Sequence, residues 1–166
     1  MDQQPKKSKV EIEKETSNFL RGTLKEQLAQ DTTHFDDTVH NLLKFHGSYQ
    51  QDDRDLRQKL TKEGKEKHYM FMVRTKIPGG KLAWNQYLAM DGFADRYANG
   101  TLRVTTRQGI QFHGVIKKNL KTVIKSLNEA MITTLGACGD IERNVVTCPA
   151  PLEDRTRAEI QEYTKK

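Results

Sequence analysis

The chain has 166 residues, of which 35% are hydrophobic and 30% are charged, and its formal net charge is +6. This length allows one domain with its own core plus an attached segment. No apolar run approaches the roughly 20 residues that span a bilayer, and the first residues lack the apolar stretch of a signal peptide, so a cytoplasmic location is expected. Residues 1–66 carry a net charge of −1 and residues 67–166 a net charge of +7, which concentrates positive potential in the second part.

Residues 1–66 are predicted to form an extension without a core of its own. Residues 1–15 are charged and lack an apolar period, which is typical of a mobile arm. Leucines at helical spacing within residues 17–28 predict a short amphipathic helix. Residues 48–67 are almost wholly polar and are predicted to be a linker with a weak helix. We expect this part to act as an interaction arm that packs on the following unit or on a neighbouring chain.

A ferredoxin-like half-domain is predicted over residues 67–148. The apolar segment YMFMVRTKI indicates a buried strand, and a helix, the segments TLRVTTR and GIQFHGVI, a second helix and a last strand IERNVVT follow it. The resulting order β-α-β-β-α-β is the ferredoxin-like arrangement, and the fold class is α+β. Residues 149–166 are expected to begin a further, truncated domain with a polar helix.

Polar side chains alternate with apolar ones along TLRVTTRQGIQFHG, so they are expected to share one face of the sheet. They are Arg103, Thr105, Arg107, Gln111 and His113. Guanidiniums bind carboxylates in a fixed fork geometry and stay charged, which indicates a ligand with several carboxylates. A solvated outer face explains the alternation equally well. His113 is a candidate acid–base group or metal ligand, although histidines in such positions are more often hydrogen-bonded structural residues.

Arg74 interrupts a strand that otherwise has a buried pattern, and a buried guanidinium needs a partner or an anion. The alternative is an edge-strand arginine that reaches solvent. Arg143 lies in the predicted last strand and is uninformative by itself. Cys138 and Cys148 are too few for a disulfide framework and match no common metal motif, so both are expected to be reduced structural thiols.

Five segments carry a resemblance to a known family. SNFLRGTL, FHGSYQQDDRD, MVRTKIPGG, LRVTTRQGIQFHG and GDIERNVV, in this order and spacing, resemble the N-terminal portion of sulfite reductase hemoproteins, relatives of ferredoxin-dependent sulfite and nitrite reductases. The resemblance implies six-electron reduction of sulfite to sulfide at a siroheme coupled to a [4Fe–4S] cluster. It also implies that a flavoprotein reductase using NADPH, or ferredoxin, supplies the electrons.

The resemblance also assigns roles to the polar residues. Arg74 and Arg143 resemble the arginines that bind the anionic substrate in this family. The strand-face set resembles the residues that hold the siroheme carboxylates: Arg103, Thr105, Arg107, Gln111 and His113. The two lysines and four cluster cysteines of the family lie farther along the chain. This stretch is therefore expected to be an inactive fragment that binds neither siroheme nor cluster alone.

One alternative belongs to a different class of protein. The order β-α-β-β-α-β together with a pI of about 9.3 also describes RNA-binding modules of the RNA-recognition type. Such modules stack bases on exposed aromatic side chains of the central strands, whereas the outward positions predicted here are Arg, Thr, Gln and His. These positions therefore disfavour an RNA-binding module. The ligand that the resemblance implies is sulfite, and no nucleic-acid or membrane partner is predicted.

Overall fold

The structure is a computed structural model that describes residues 7–139, 141–150 and 154–164. Short one-turn 3-10 helices at Lys44–His46 and Pro78–Gly80 connect some of its elements. In chain order the elements are α1 (Lys9–Thr16), α2 (Leu24–Ala29), α3 (Asp37–Leu43), β1 (Ser48–Asp52), α4 (Arg54–Lys62), β2 (Tyr69–Arg74), α5 (Trp84–Tyr97), β3 (Leu102–Val104), β4 (Ile110–Val115), α6 (Lys117–Glu129) and α7 (Arg155–Tyr163). Within the described ranges, no helix combines the length and the apolar character needed to cross a membrane.

Four strands form one antiparallel sheet in the order β1-β2-β4-β3. The predicted succession β2, α5, β3, β4 and α6 is present, and the α+β, ferredoxin-like class is confirmed. The predicted last strand is wrong, because residues 141–147 form no strand. Strand β1 instead occupies the sheet position beside β2, where Tyr49 is paired with Met72.

The polar segment at residues 48–67 contains the helix that the sequence predicts, now α4, but it also contains the strand β1, which was not predicted. It forms β1 and α4, because its polar side chains find specific partners. Gln50 accepts a hydrogen bond from the Phe35 backbone N–H at 2.7 Å and donates to the Phe35 carbonyl at 3.2 Å. Ser48 is buried and donates to the Met72 carbonyl at 3.0 Å. Asp53 caps α4 by accepting from two backbone N–H groups of its first turn.

The core lies between one face of the sheet and the helices α5 and α6. Phe71, Val73 and Phe112 are fully buried on this face. They pack with apolar side chains of both helices, among them Met90, Ala94, Leu120, Val123 and Leu127. Phe35, Val39 and Leu43 belong to the same cluster, so residues before position 67 contribute to this core rather than forming a separate body.

The N-terminal segment also departs from the mobile arm predicted for residues 1–15. Residues 1–6 lie outside the described part, but α1 follows directly from a capped start. The Glu11 backbone N–H donates to Ser8 Oγ at 3.3 Å, and the Ser8 N–H donates to Glu11 Oε2 at 2.8 Å. This reciprocal capping box satisfies two backbone groups that would otherwise be exposed at the helix start. At the other end of the chain, α7 is the polar helix that the sequence predicts.

Candidate functional site

Three polar side chains form a row across the sheet at the end of β2. Arg74 on β2 is paired with Gln111 on β4, and Gln111 is paired on its other side with Arg103 on β3. Opposite residues of antiparallel strands point to the same face, and His113 follows Gln111 by one full strand period. This face lies opposite the core, because Phe112 between them is fully buried. The structure thus places Arg103, Gln111 and His113 on one face, as the alternation predicts.

The Gln111 amide is buried and contacts two of these side chains. The donors of the Arg74 guanidinium assign the orientation of this amide. Its oxygen then accepts from Arg74 Nε at 2.9 Å and from Arg74 Nη2 at 2.5 Å, and its nitrogen donates to His113 Nε2 at 3.2 Å. This orientation of the amide gives every contact one donor and one acceptor. Arg74 also donates to the Ala137 carbonyl at 3.5 Å, and its guanidinium lies 5.9 Å from the centre of the Tyr49 ring. Arg74 is therefore held within the protein rather than extended into solvent.

Thr105 and Arg107 do not continue this row, because β3 already ends at Val104. The Thr105 N–H donates to the Gly109 carbonyl at 2.8 Å, and the Gln108 N–H donates to the Thr105 carbonyl at 2.9 Å. Gln108 has a φ of 60°, in the left-handed region that interrupts a strand. The strand predicted through residue 107 is therefore too long, and a tight turn carries Thr105 and Arg107.

This turn borders a cavity of about 240 Å³. The lining residues are Arg74, Thr75, Thr105, Thr106, Arg107, Gly109, Ala137, Arg143 and Asn144. Three arginines and three threonines thus line one small space, and none of the described residues that line it is acidic. Arg74 and Arg143, the two predicted substrate arginines, meet there although they are far apart in the sequence. Arg103, Gln111 and His113 lie outside the lining, on the adjoining sheet face.

The site carries positive charge that no ion pair between described residues neutralises. Among the described residues, no carboxylate forms an ion pair with any of its four arginines, at positions 74, 103, 107 and 143. Burial, reinforced by Arg103 and Arg74, lowers the pKa of His113. Burial raises the pKa of the Cys138 thiol, whereas Arg74 and Arg143 act to lower it. An anion entering the cavity would therefore meet arginines that are not paired with any described carboxylate.

A larger cavity of about 810 Å³ lies between α7 and residues 146–150. Its lining mixes both signs of charge with apolar side chains, including Asp154, Arg157 and Ile160. It contains none of the site residues predicted from the sequence. The smaller cationic cavity is therefore the candidate functional site.

Asn144 holds the two halves of the cavity together, and sequence reasoning missed it. Its Nδ2 donates to the Ile77 carbonyl at 2.9 Å and to the Arg107 carbonyl at 2.7 Å. The first contact ties the segment of Arg143 to the chain after β2, and the second ties it to the turn after β3. The sequence signal is an asparagine next to Arg143 in a segment rich in turn residues, which does not identify its distant partners.

Asn144→Ala is expected to lower the free energy of unfolding by about 1 to 3 kcal/mol, because two backbone carbonyls lose their donor. Chemical denaturation of the 166-residue chain measures this change. Asn128→Ala is the matched control, since Asn128 lies on an exposed helix position and its side chain donates to the Ile124 carbonyl of its own helix. The control should change stability by less than about 0.5 kcal/mol. Equal effects of the two substitutions would contradict the bridging role.

Comparison with known proteins agrees with this arrangement. Residues 62–130 match the family model described as the nitrite/sulfite reductase ferredoxin-like half domain. The chain is 49% identical over 160 residues to the sulfite reductase [NADPH] hemoprotein beta-component of Anoxybacillus flavithermus, and 50% identical over 154 residues to that of Xylella fastidiosa. These alignments cover 96% and 92% of this chain, respectively. They cover only 28% and 27% of the two relatives.

The solved structure of the Mycobacterium tuberculosis NirA protein is similar with a TM-score of 0.67, covering 84% of this chain and 27% of that one. At 22% identity it supports the fold alone. The resemblance to sulfite reductase hemoproteins predicted from the motifs is confirmed by the family match and the relatives together. The RNA-binding alternative is not supported, since the central strands direct Arg74, Gln111 and His113 outward rather than exposed aromatic rings.

Proposed function

We propose that this chain supplies part of the sulfite site and of the siroheme site of a sulfite reductase hemoprotein. The observation that carries the proposal is the small cavity lined by Arg74, Arg107 and Arg143, with no acidic side chain among its described lining residues. Guanidiniums stay protonated at working pH and donate in a planar fork, which suits the oxygens of a small oxyanion. At about 240 Å³ the cavity is smaller than a typical site for a drug-sized ligand, which favours a small anion.

In this proposal Arg74 and Arg143 bind the substrate anion. Arg74 is suited to orienting it, because contacts with Gln111 and Ala137 restrict its guanidinium. Fixed positive groups stabilise negative charge that shifts onto the oxygens of sulfite as an S–O bond breaks. None of these arginines gives up a proton, so the protons consumed in the reduction must come from other groups.

The donor set on the sheet face fits a cofactor rich in carboxylates. Arg103 is exposed beside the cavity, and Thr105 and Arg107 lie on the turn at its edge. We assign these three, with Gln111 and His113 nearby, to the siroheme wall. When bound, siroheme would supply the electrons to sulfite. The described residues contain no group of three His, Cys, Asp or Glu that could hold a metal, so the proposal assigns the [4Fe–4S] ligands to the portion of the relatives that this chain does not span.

The same proposal includes the partners expected from the sequence. Sulfite is the substrate, and a flavoprotein reductase using NADPH, or ferredoxin, is the electron donor. The names of the relatives, which include NADPH, favour the first donor. The cytoplasm is the proposed location, and the portion described here is proposed to be inactive alone.

Binding of sulfite to the 166-residue chain tests the anion site directly. Calorimetric titration at low ionic strength should show binding that weakens as salt is added, because part of the attraction is screened. Arg74→Ser and Arg143→Ser should each weaken it by about 10- to 100-fold, the loss of one charge-assisted hydrogen bond.

Arg155→Ser is the matched control, since it removes the same charge from an exposed position on α7, away from the cavity. It should leave the affinity within about twofold, because Arg155 is exposed, is already paired with Glu159 and does not line the cavity. If all three variants weaken sulfite binding equally, the attraction is general and the cavity assignment is wrong.

A further inference from the structure

Gln111 lies between a permanent cation and an imidazole, and this position determines how its amide must be oriented. The Arg74 guanidinium has only donors, so the group facing it must be the amide oxygen. The amide NH₂ then faces His113 Nε2 at 3.2 Å. Because an NH₂ group donates, Nε2 must be the acceptor, and the proton of the neutral imidazole must sit on Nδ1.

The surroundings leave Arg74 few alternatives to this contact. Among the described residues, the only other hydrogen bond of the Arg74 side chain is the long one from Nη1 to the Ala137 backbone carbonyl. Gln111 is only 8% exposed, so water has little access to the amide. The two bonds to Nε and Nη2 therefore define the plane of the Arg74 guanidinium, while Nη1 is directed to Ala137, a lining residue of the cavity.

We propose that Gln111, besides its place in the siroheme wall, is a positioning residue that orients Arg74 at the cavity and holds His113 as the neutral Nδ1–H tautomer. This contact chain, from Arg74 through Gln111 to His113, is called the Gln111 bridge below. Its importance for anion binding rests on the proposed function. The effect of the Gln111 bridge on His113 is independent of the proposed function and can be measured without any anion.

The Gln111 bridge exists in only one protonation state. A protonated His113 would direct an N–H at the amide NH₂, placing two donors against each other. Rotating the amide to relieve this would turn its NH₂ toward the Arg74 guanidinium, again donor against donor. The charged groups acting on His113 are Arg103 from β3 and Arg74 from β2, and both oppose its protonation. The geometry and the charges thus favour the same neutral state.

Nitrogen NMR of the ¹⁵N-labelled 166-residue chain tests the bridge. In the unsubstituted chain, the imidazole nitrogen shifts should identify His113 as the Nδ1–H tautomer and its pKa should lie below the ordinary histidine value. Gln111→Glu should reverse this behaviour, because a carboxylate accepts from Arg74 but cannot donate to His113. His113 should then carry its proton on Nε2, and its pKa should rise.

Gln111→Met and Gln51→Glu complete the set of variants. Gln111→Met keeps the side-chain length without polar atoms, so His113 should lose its tautomer preference and the Arg74 Nε–H should exchange faster with water. Gln51→Glu introduces the same charge at an exposed position of β1 and should leave the His113 tautomer unchanged. The Nε2–H tautomer in the unsubstituted chain, or an unchanged tautomer in Gln111→Glu, would overturn the proposal. A purely structural Gln111 would lower the melting temperature without moving the tautomer.

A sulfite titration of the same samples separates this inference from the proposed function. Gln111→Met should weaken sulfite binding by about 3- to 10-fold, the cost of ordering one long side chain at the moment of binding. If the unsubstituted chain binds no sulfite while the tautomer responds as expected, the bridge stands and the sulfite site is wrong. If sulfite binds equally well to the chain and to Gln111→Met, Gln111 does not position Arg74.

Discussion

Arg74→Ser is expected to leave the heme content nearly unchanged in a sulfite reductase holoenzyme that contains this stretch, while sulfite turnover per heme falls by about 30- to 1000-fold. That loss corresponds to about 2 to 4 kcal/mol of transition-state stabilisation, by analogy with removal of one oxyanion donor. The substitution should affect turnover more than heme content because of where Arg74 lies. Arg74 lines the small cavity together with Arg143, whereas Arg103 lies on the open sheet face.

Heme absorbance, melting temperature and sulfite turnover should be measured on the same preparation. Arg103→Ser is the matched control, because Arg103 belongs to the same row of the sheet but does not line the cavity. It should reduce heme retention more than turnover per heme. Unchanged turnover per heme in Arg74→Ser would contradict the role of Arg74 in binding the substrate.

Arg74→Lys provides a second test in case the serine variant folds poorly. A lysine keeps the positive charge but cannot bind Gln111 and an anion through one planar fork. Turnover per heme should therefore fall in this variant too, by less than in Arg74→Ser. A structural role for Arg74 would instead appear as a lower melting temperature with full activity of the folded enzyme.

The sequence predicts the sheet face correctly where the pattern is local. Alternation along a strand is a property of the backbone, so Gln111 and His113 could be assigned to one face without knowing any neighbour. The same alternation fails beyond Val104, because the turn that follows depends on a left-handed Gln108 that no periodicity reveals. Arg107 therefore reaches the site from a turn rather than from a strand.

The choice of sheet partner could not be predicted from local patterns. The segment at residues 141–147 has strand-forming residues, yet β1 occupies the place beside β2. Strand β1 is polar, and its stability comes from particular contacts such as that of Gln50 with the Phe35 backbone, which sequence spacing does not encode. Arg74 and Arg143 meet for the same kind of reason, through the bonds of Asn144 to two separate loops.

Gly47→Ala is expected to lower the free energy of unfolding by about 2 to 5 kcal/mol, through left-handed strain and steric overlap. Gly47 has a φ of 78°, and a Cβ there would lie 2.2 Å from the Thr134 carbonyl oxygen and 2.9 Å from that of Arg74. Backbone atoms on both sides cannot move independently of the sheet, because the Gly47 carbonyl accepts from the Arg74 N–H at 2.8 Å. The melting temperature should fall by roughly 5 to 15 °C.

Gly64→Ala isolates the two contributions to this loss. Gly64 has a φ of 66°, but a Cβ there meets no atom within 4 Å, so only the conformational strain of about 1 to 2 kcal/mol remains. The difference between the two variants measures the overlap at Gly47. Because that overlap displaces the strand end bearing Arg74, Gly47→Ala should also weaken sulfite binding, whereas Gly64→Ala should not. Equal melting temperatures for the two variants would show that the chain around Gly47 relaxes freely, contrary to the close packing described for β1 and β2.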